Sequence, residues 1–207
     1  MTPSFPSRTL SFTAAVVALA LAGPAAAQPV VGTTGAVPAP VALDITGLFQ
    51  EKYASVGDDV FIGGQPTEQA LRDLKAKGVT TVVNLRMPQE MARIGFDEAA
   101  LLKELGLTYV HIPLGGGGEN AYAPAALDRF ASTMASAKGK VLLHCTIAWR
   151  ASHMWAAYLI RERGMAESVA LDHARSINLR EDRPFGDQQP VEGFLGRTLP
   201  GLRRPKP

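Results

Sequence analysis

A single α/β domain is the fold class this sequence predicts, with a mainly parallel central sheet of about four to five strands and helices on both faces. Three observations carry that expectation. Short apolar, β-branched runs alternate with segments whose apolar residues recur at helical spacing. One run, residues 79–85 (VTTVVNL), is mostly apolar throughout, as in a strand buried on both faces. Glycines at 78, 106 and 164 end three of the helical patterns. With 207 residues the chain is long enough for one domain with a real core.

The first residues stand apart from that domain. Arg8 precedes an uncharged, mostly apolar stretch over 10–22, followed by Pro24 and Ala25-Ala26-Ala27. This pattern reads as a secretory signal peptide over 1–27, cut after Ala27. The apolar run falls short of the roughly 20 residues a membrane anchor needs. An exported protein, periplasmic or secreted and without stable membrane insertion after cleavage, is therefore expected. Residues 28–42 are uncharged and rich in Pro, Gly, Ala, Val and Thr, and read as a flexible linker. The domain itself is expected over 43–180, with an irregular basic tail over 181–207.

Within the domain, residues 59–62 (DVFI) form a short strand stopped by Gly63-Gly64. Thr67 is placed to cap a helix running to Lys77, with Ala70, Leu71 and Leu74 on its apolar face. The buried strand 79–85 follows, and Pro88 bars its continuation. Residues 96–105 read as a helix carrying Leu101, Leu102 and Leu105, and residues 107–112 as a strand ending at Pro113. A loop over 114–123 contains Gly115 to Gly118 and then Glu119. Pro124 suits the first turn of a helix with Leu127, Phe130, Ala131 and Met134 inward. Residues 140–144 form another strand, and helices over 151–163 and 166–178 complete the pattern. No internal repeat or coiled-coil heptad interrupts it. In such sheets ligands bind beyond the carboxyl ends of the strands. Gly63-Gly64-Gln65, Asn84-Leu85-Arg86, the glycine loop and the segment from Cys145 to Arg150 should share one rim.

Chemistry concentrates in KVLLHCTIAWRAS, residues 140–152. Cys145 follows an apolar strand and precedes a helix. Loop N–H groups and the positive end of the helix dipole would favour a thiolate there. The same groups would favour a tetrahedral oxyanion, which the Arg150 guanidinium could grip at two oxygens. Cys145 is the only cysteine, so no internal disulfide can form. A buried, inert thiol is the alternative reading of a lone cysteine. Net charge is +2, and losing Arg8 with the signal lowers it by one, which argues against a general nucleic-acid binder. With one Cys and no close His pair there is no metal-ligand pattern, and no cofactor is expected.

Taken together, Gly64-Gln65-Pro66, Val82-Val83-Asn84-Leu85-Arg86 with Glu90, Tyr109-Val110-His111-Ile112-Pro113 and Val141-Leu142-Leu143-His144-Cys145 with Arg150 carry a resemblance. Over residues 58–179 the chain resembles the cysteine-dependent tyrosine and dual-specificity phosphatase superfamily. Within it, the chain is similar to the bacterial phosphatase-like family named after β-lactamase hydrolase-like proteins. The resemblance implies Cys145 as nucleophile, Arg150 as phosphate ligand, the loop residues Thr146, Ile147, Ala148 and Trp149 as the rest of the cradle, and His144 as a support. Three departures stand out. Four residues separate Cys145 from Arg150, where most of the superfamily has five, and this short loop is also the length seen in rhodanese-like sulfurtransferases. Ala148 replaces the usual glycine, beside Ile147 and Trp149, and could strain the cradle. No Asp follows Pro113 where the family's acid sits, so Glu119 is the nearest candidate for general acid. The resemblance implies phosphate monoester hydrolysis through a phosphocysteine as the function; the alternatives are sulfur transfer through a Cys145 persulfide and anion or partner binding without catalysis. The expected partner is a small phosphorylated or sulfur-bearing substrate; the sequence leaves oligomeric state open. Arg86 and Glu90 read as a structural ion pair near the rim. Trp149 reads equally as a pocket wall or as packing beneath the loop. His111 and His173 read as core histidines.

Overall fold

The computed structural model describes Met1 and residues 36–115, 117–182 and 188–202. The expected signal peptide and its cleavage site, linker residues 28–35, Gly116 of the glycine loop, and Arg203, Arg204 and Lys206 of the tail lie outside the described residues.

A six-stranded mixed sheet organises the domain. Its strands are β1 (Pro40–Ala42), β2 (Tyr53–Val56), β3 (Val60–Gly63), β4 (Val79–Asn84), β5 (Thr108–His111) and β6 (Lys140–His144). Their spatial order is β1-β2-β3-β6-β4-β5. The four strands from β3 to β5 run parallel, and β1 and β2 add an antiparallel edge. The parallel α/β expectation holds, and the extra pair enlarges the sheet. β2 and β3 form a hairpin around residues 57–59, where Gly57 has a φ of +56°. β1 falls within the stretch read as linker, because its backbone pairs with β2 from Pro40 opposite Val56 to Ala42 opposite Ala54.

Helices cover both faces. On one side lie α1 (Glu68–Ala76) and α3 (Glu98–Glu104); α2 (Pro88–Met91) is a single turn at the rim. Thr67 Oγ1 caps α1 by accepting from the Ala70 N–H at 3.2 Å. Asp97 Oδ1 caps α3 by accepting from the Ala100 N–H at 3.0 Å. Leu71 and Leu74 of α1 and Leu101 and Leu102 of α3 pack on Phe61, Val82 and Leu142. The opposite face carries α4 (Pro124–Ser136), α5 (Trp149–Glu162), α6 (Glu167–Ile177) and α7 (Pro190–Leu195). There Leu127, Phe130, Met154 and Trp155 meet Ile62, Val83 and Leu143. Neighbouring residues of one strand thus feed opposite cores, as the pleat requires.

The region read as an irregular tail contributes to this core. Val191 and Phe194 of α7 are buried, as are Leu199 and Leu202 beyond it. Glu192 is buried too; its carboxylate accepts from the Gln189 N–H at 3.0 Å and the Leu199 N–H at 2.8 Å. Charge and helix start are both satisfied this way. Among the described residues no helix is long and apolar enough to cross a membrane.

Candidate active site

β6 delivers Cys145 to the carboxyl edge of the sheet, between β3 and β4. The Cys145 N–H donates to the Gly63 carbonyl at 3.3 Å. The loop beyond it is fastened from two sides. Gln65 N–H donates to the Thr146 carbonyl at 2.9 Å, and Asn178 Nδ2 donates to the Ile147 carbonyl at 2.5 Å. Gly64 is obligatory here: a Cβ on it would lie 1.8 Å from the Gln50 carbonyl oxygen and 2.8 Å from that of Thr146. Ala148 takes a left-handed conformation, φ +65° and ψ 0°, immediately before α5. An L-residue adopts this at a cost of about 1 kcal/mol, so the expected strain is real. The N–H groups of Thr146, Ile147 and Arg150 donate to no backbone carbonyl among the described residues.

Arg150, in the first turn of α5, turns its guanidinium back over the loop. Its Nη1 donates to the carbonyls of Leu114 (2.8 Å) and Leu85 (3.2 Å) and to Glu90 Oε2 (2.7 Å). Its Nη2 donates to Glu90 Oε1 (2.6 Å) and Thr146 Oγ1 (3.0 Å). Thr146 Oγ1 in turn donates to Glu90 Oε1 at 2.7 Å. Burial works against the Arg150 charge, but the hydrogen bonds to Glu90, with the charges of Cys145 and Glu90, hold it above its ordinary range. Burial likewise works to raise the Glu90 carboxyl, yet hydrogen bonds from Arg150 and Thr146 bring it down to about 2.

Beneath the loop a second polar cluster surrounds Glu98, which is 2% exposed. It accepts from Asn84 Nδ2 (2.9 Å) and Gln65 Nε2 (2.7 Å), and His144 Nε2 lies 3.1 Å from its Oε1. These partners, His144 foremost, hold the carboxyl below its ordinary range against the larger opposing effect of burial. Gln65 Oε1 accepts from Arg86 Nη1 at 2.5 Å, and Arg86 Nη2 donates to the Glu90 carbonyl at 3.0 Å. Hydrogen bonds therefore run unbroken from His144, behind Cys145, through Glu98, Gln65 and Arg86 to the helical turn that bears Glu90.

A cavity of about 620 Å³ opens over this loop. Cys145, Thr146, Ile147, Trp149 and Arg150 line it. Ala148 is wholly buried and shapes the cradle from behind, and His144 lies below it. Trp149 serves both of its readings. It edges the cavity, yet its Nε1 donates to the Arg180 carbonyl at 3.2 Å and its ring meets His153 at 4.8 Å. Glu119 is exposed on a 3₁₀ turn, Gly118–Asn120, and does not line the cavity. Glu90 is more than Arg86's partner: its oxygen lies 3.9 Å from Arg86 Nε but 2.6 Å from Arg150 Nη2. His111 Nε2 donates to the Arg86 carbonyl at 2.7 Å, a structural role. Sequence reasoning did not single out Glu51, Tyr122 or Glu98. Glu51 and Tyr122 line the cavity, and burial pushes the Tyr122 phenol up to about 12. Among the described residues no group of three His, Cys, Asp or Glu side chains is placed to hold a metal ion.

Comparison with known proteins identifies a family and a shared fold. The family described as "DSP-PTPase phosphatase fused to NAD+ Kinase" matches residues 49–190. Two curated relatives from Xylella fastidiosa are both named beta-lactamase hydrolase-like protein. The protein of strain Temecula1 is 28% identical over 132 residues, 62% of this chain and 30% of the relative. That of strain 9a5c is 26% identical over 145 residues, 68% of this chain and 33% of the relative. The chain thus spans about a third of the length of these relatives. A solved structure from Shewanella putrefaciens CN-32, provisionally described as a phosphatase (DUF442), is 26% identical with a TM-score of 0.50, covering 63% of this chain and 82% of that one. TpbA of P. aeruginosa shares the fold at 20% identity and a TM-score of 0.53, covering 80% of this chain and 94% of its own. PTPMT1 does so at 20% identity and a TM-score of 0.54, covering 69% and 90%.

Proposed function

Because this chain belongs to the phosphatase family described as DSP-PTPase phosphatase fused to NAD+ kinase, we propose that it hydrolyses phosphate monoesters through a covalent phosphocysteine. One observation carries the reading: Cys145 and the Arg150 guanidinium face one cavity, with the guanidinium tied to the loop at Thr146 Oγ1. The Cys145 thiolate attacks phosphorus, an S–P bond forms and the P–O bond to the leaving group breaks. Arg150 and the loop N–H groups bind the phosphoryl oxygens as charge builds on them. Glu90 holds the guanidinium in place, so that little ordering remains to be done when substrate arrives. Water then attacks the phosphocysteine and frees inorganic phosphate and thiolate.

Cavity walls of Tyr122, Trp149 and Met87 support a small or aryl-bearing phosphate ester. Export through a cleaved signal rests on residues 8–27 alone. The test pairs the protein with its Cys145→Ser variant under reducing conditions, on an aryl phosphate and on thiosulfate with a thiophilic acceptor. Phosphate release that needs Cys145 supports the reading. Cys145-dependent sulfur transfer without phosphate release replaces it with a persulfide mechanism.

A further inference from the structure

An alkoxide or phenoxide leaving from phosphorus needs a proton, and the acid expected on the loop after β5 is not at the cavity. Glu119 is exposed outside it. Glu90 lines the cavity, but both its oxygens accept from Arg150, so it is occupied as an acceptor. The other carboxylate lining the Cys145 cavity is Glu51. It is exposed, and among the described residues it forms no ion pair.

Glu51 also sits in an unusual backbone conformation. At φ +61° it is one of two non-glycine residues in the left-handed region among those described, the other being Ala148 of the cysteine loop. Such conformations persist where the surroundings over-determine them, and they cluster at functional sites. Here the surroundings are explicit. Gln50 N–H donates to the Gln65 carbonyl at 3.0 Å, Lys52 N–H to the Gln50 carbonyl at 2.8 Å, and Gly64 N–H to the Lys52 carbonyl at 2.8 Å. Gln65 N–H then reaches the Thr146 carbonyl. The turn bearing Glu51 is thus fastened to Gly64 and Gln65, and the loop bearing Cys145 to Gly63 and Gln65, so both hang on the same short segment. The bare Cα of Gly64 allows both to close in.

We propose that Glu51 is the general acid of this site, a role that rests on the phosphatase reading. As Cys145 Sγ bonds to phosphorus and the ester P–O bond breaks, the departing oxygen takes the proton of the Glu51 carboxyl and leaves as an alcohol or phenol. The resulting carboxylate then takes a proton from the attacking water; the new P–O bond forms, the S–P bond breaks, and phosphate and thiolate are released.

The test uses the intact chain with Glu51→Gln, Glu119→Gln, Tyr122→Phe and Cys145→Ser. Each is assayed on phenyl phosphate, a poor leaving group, and on p-nitrophenyl phosphate, a good one. Glu51→Gln is expected to lower kcat/KM about 100-fold on the first and less than about tenfold on the second, as loss of a general acid does. Glu119→Gln should match the parent on both. Equal losses on the two esters, or no loss, overturn the assignment while Cys145→Ser remains inactive. A leaving-group-dependent loss in Glu119→Gln or Tyr122→Phe moves the role to that residue. Absence of any Cys145-dependent phosphate release overturns the phosphatase reading and this role with it. Unchanged thermal melting of Glu51→Gln shows that its effect is chemical.

Discussion

Replacing Glu90 with Gln keeps the shape of the side chain and removes the charge that Arg150 and Thr146 hold. The carboxyl sits at about 2, against an ordinary 4.5. At about 1.36 kcal/mol per unit, that depression corresponds to about 3 kcal/mol of folding free energy. The side chain is 27% exposed, and solvent screening lowers the figure toward about 2 kcal/mol. Stripping one partner from a buried pair costs about 3–5 kcal/mol, so a loss of about 2–3 kcal/mol near neutral pH is expected. Because the folded-state value is the lower one, this stability is fully present above the unfolded value of 4.5 and is lost as pH falls toward about 2. Urea unfolding of parent and Glu90→Gln at a series of pH values measures both parts. The gap between the two curves should be widest at neutral pH and close as acid protonates the parent. A gap below about 1 kcal/mol at neutral pH, or one that persists unchanged into strong acid, refutes the role given to the Glu90–Arg150 pair.

Ala148→Gly sets two effects of similar size against each other. Relief of the left-handed backbone contributes about 1 kcal/mol, and losing a buried methyl costs about 0.8 kcal/mol. Chemical denaturation should therefore find stability changed by less than about 1 kcal/mol, and a larger loss would mean that the methyl props up the loop. Gly64→Ala has no such compensation, since its Cβ would meet the Gln50 carbonyl oxygen at 1.8 Å. It should cost about 3 kcal/mol or more and abolish Cys145-dependent turnover; folding and turnover at the parent's level would contradict the close approach described. Mass spectrometry of protein recovered outside the cytoplasm should find an N-terminus at Gln28, and an intact leader there would exclude cleavage after Ala27.

What could be read beforehand depended on how local each signal is. β6, Cys145, Arg150 and α5 lie in one run of residues, where apolar periodicity and a strand-to-helix junction suffice. Glu98 does carry a local mark in the sequence. It stands three and four residues before Leu101 and Leu102, on the apolar stripe of α3, which is where a buried carboxylate with partners would sit. β2 and its hairpin with β3 are absent from the sequence reading, although Gly57-Asp58-Asp59 between Val56 and Val60 has the composition of a tight turn. Glu51 had no local mark. Its place at the cavity depends on Gly64 admitting the Gln50 carbonyl, a contact between segments that no periodicity reports. Glu119 lies near Pro113 in sequence, but a 3₁₀ turn carries it out to solvent. The tail looked irregular because α7 spans only Pro190–Leu195, too short for a helical period to declare itself.

That short helix also decides how much of the chain forms the folding unit. A Cβ on Gly193 would come within 2.2 Å of the Tyr122 carbonyl oxygen, so α7 lies directly against the segment that brings Tyr122 to the cavity wall. Tyr122 meets Phe194 of the same helix at 5.6 Å, edge to face. Ending the chain where regular sequence patterning fades, just after α6, would expose the apolar underside of Tyr122 and remove Val191, Phe194, Leu199 and Leu202 from the core. The smallest portion able to keep the pocket's shape therefore extends through Leu202, and a premature stop codon in this unassuming stretch would strip buried side chains from beneath the cavity wall.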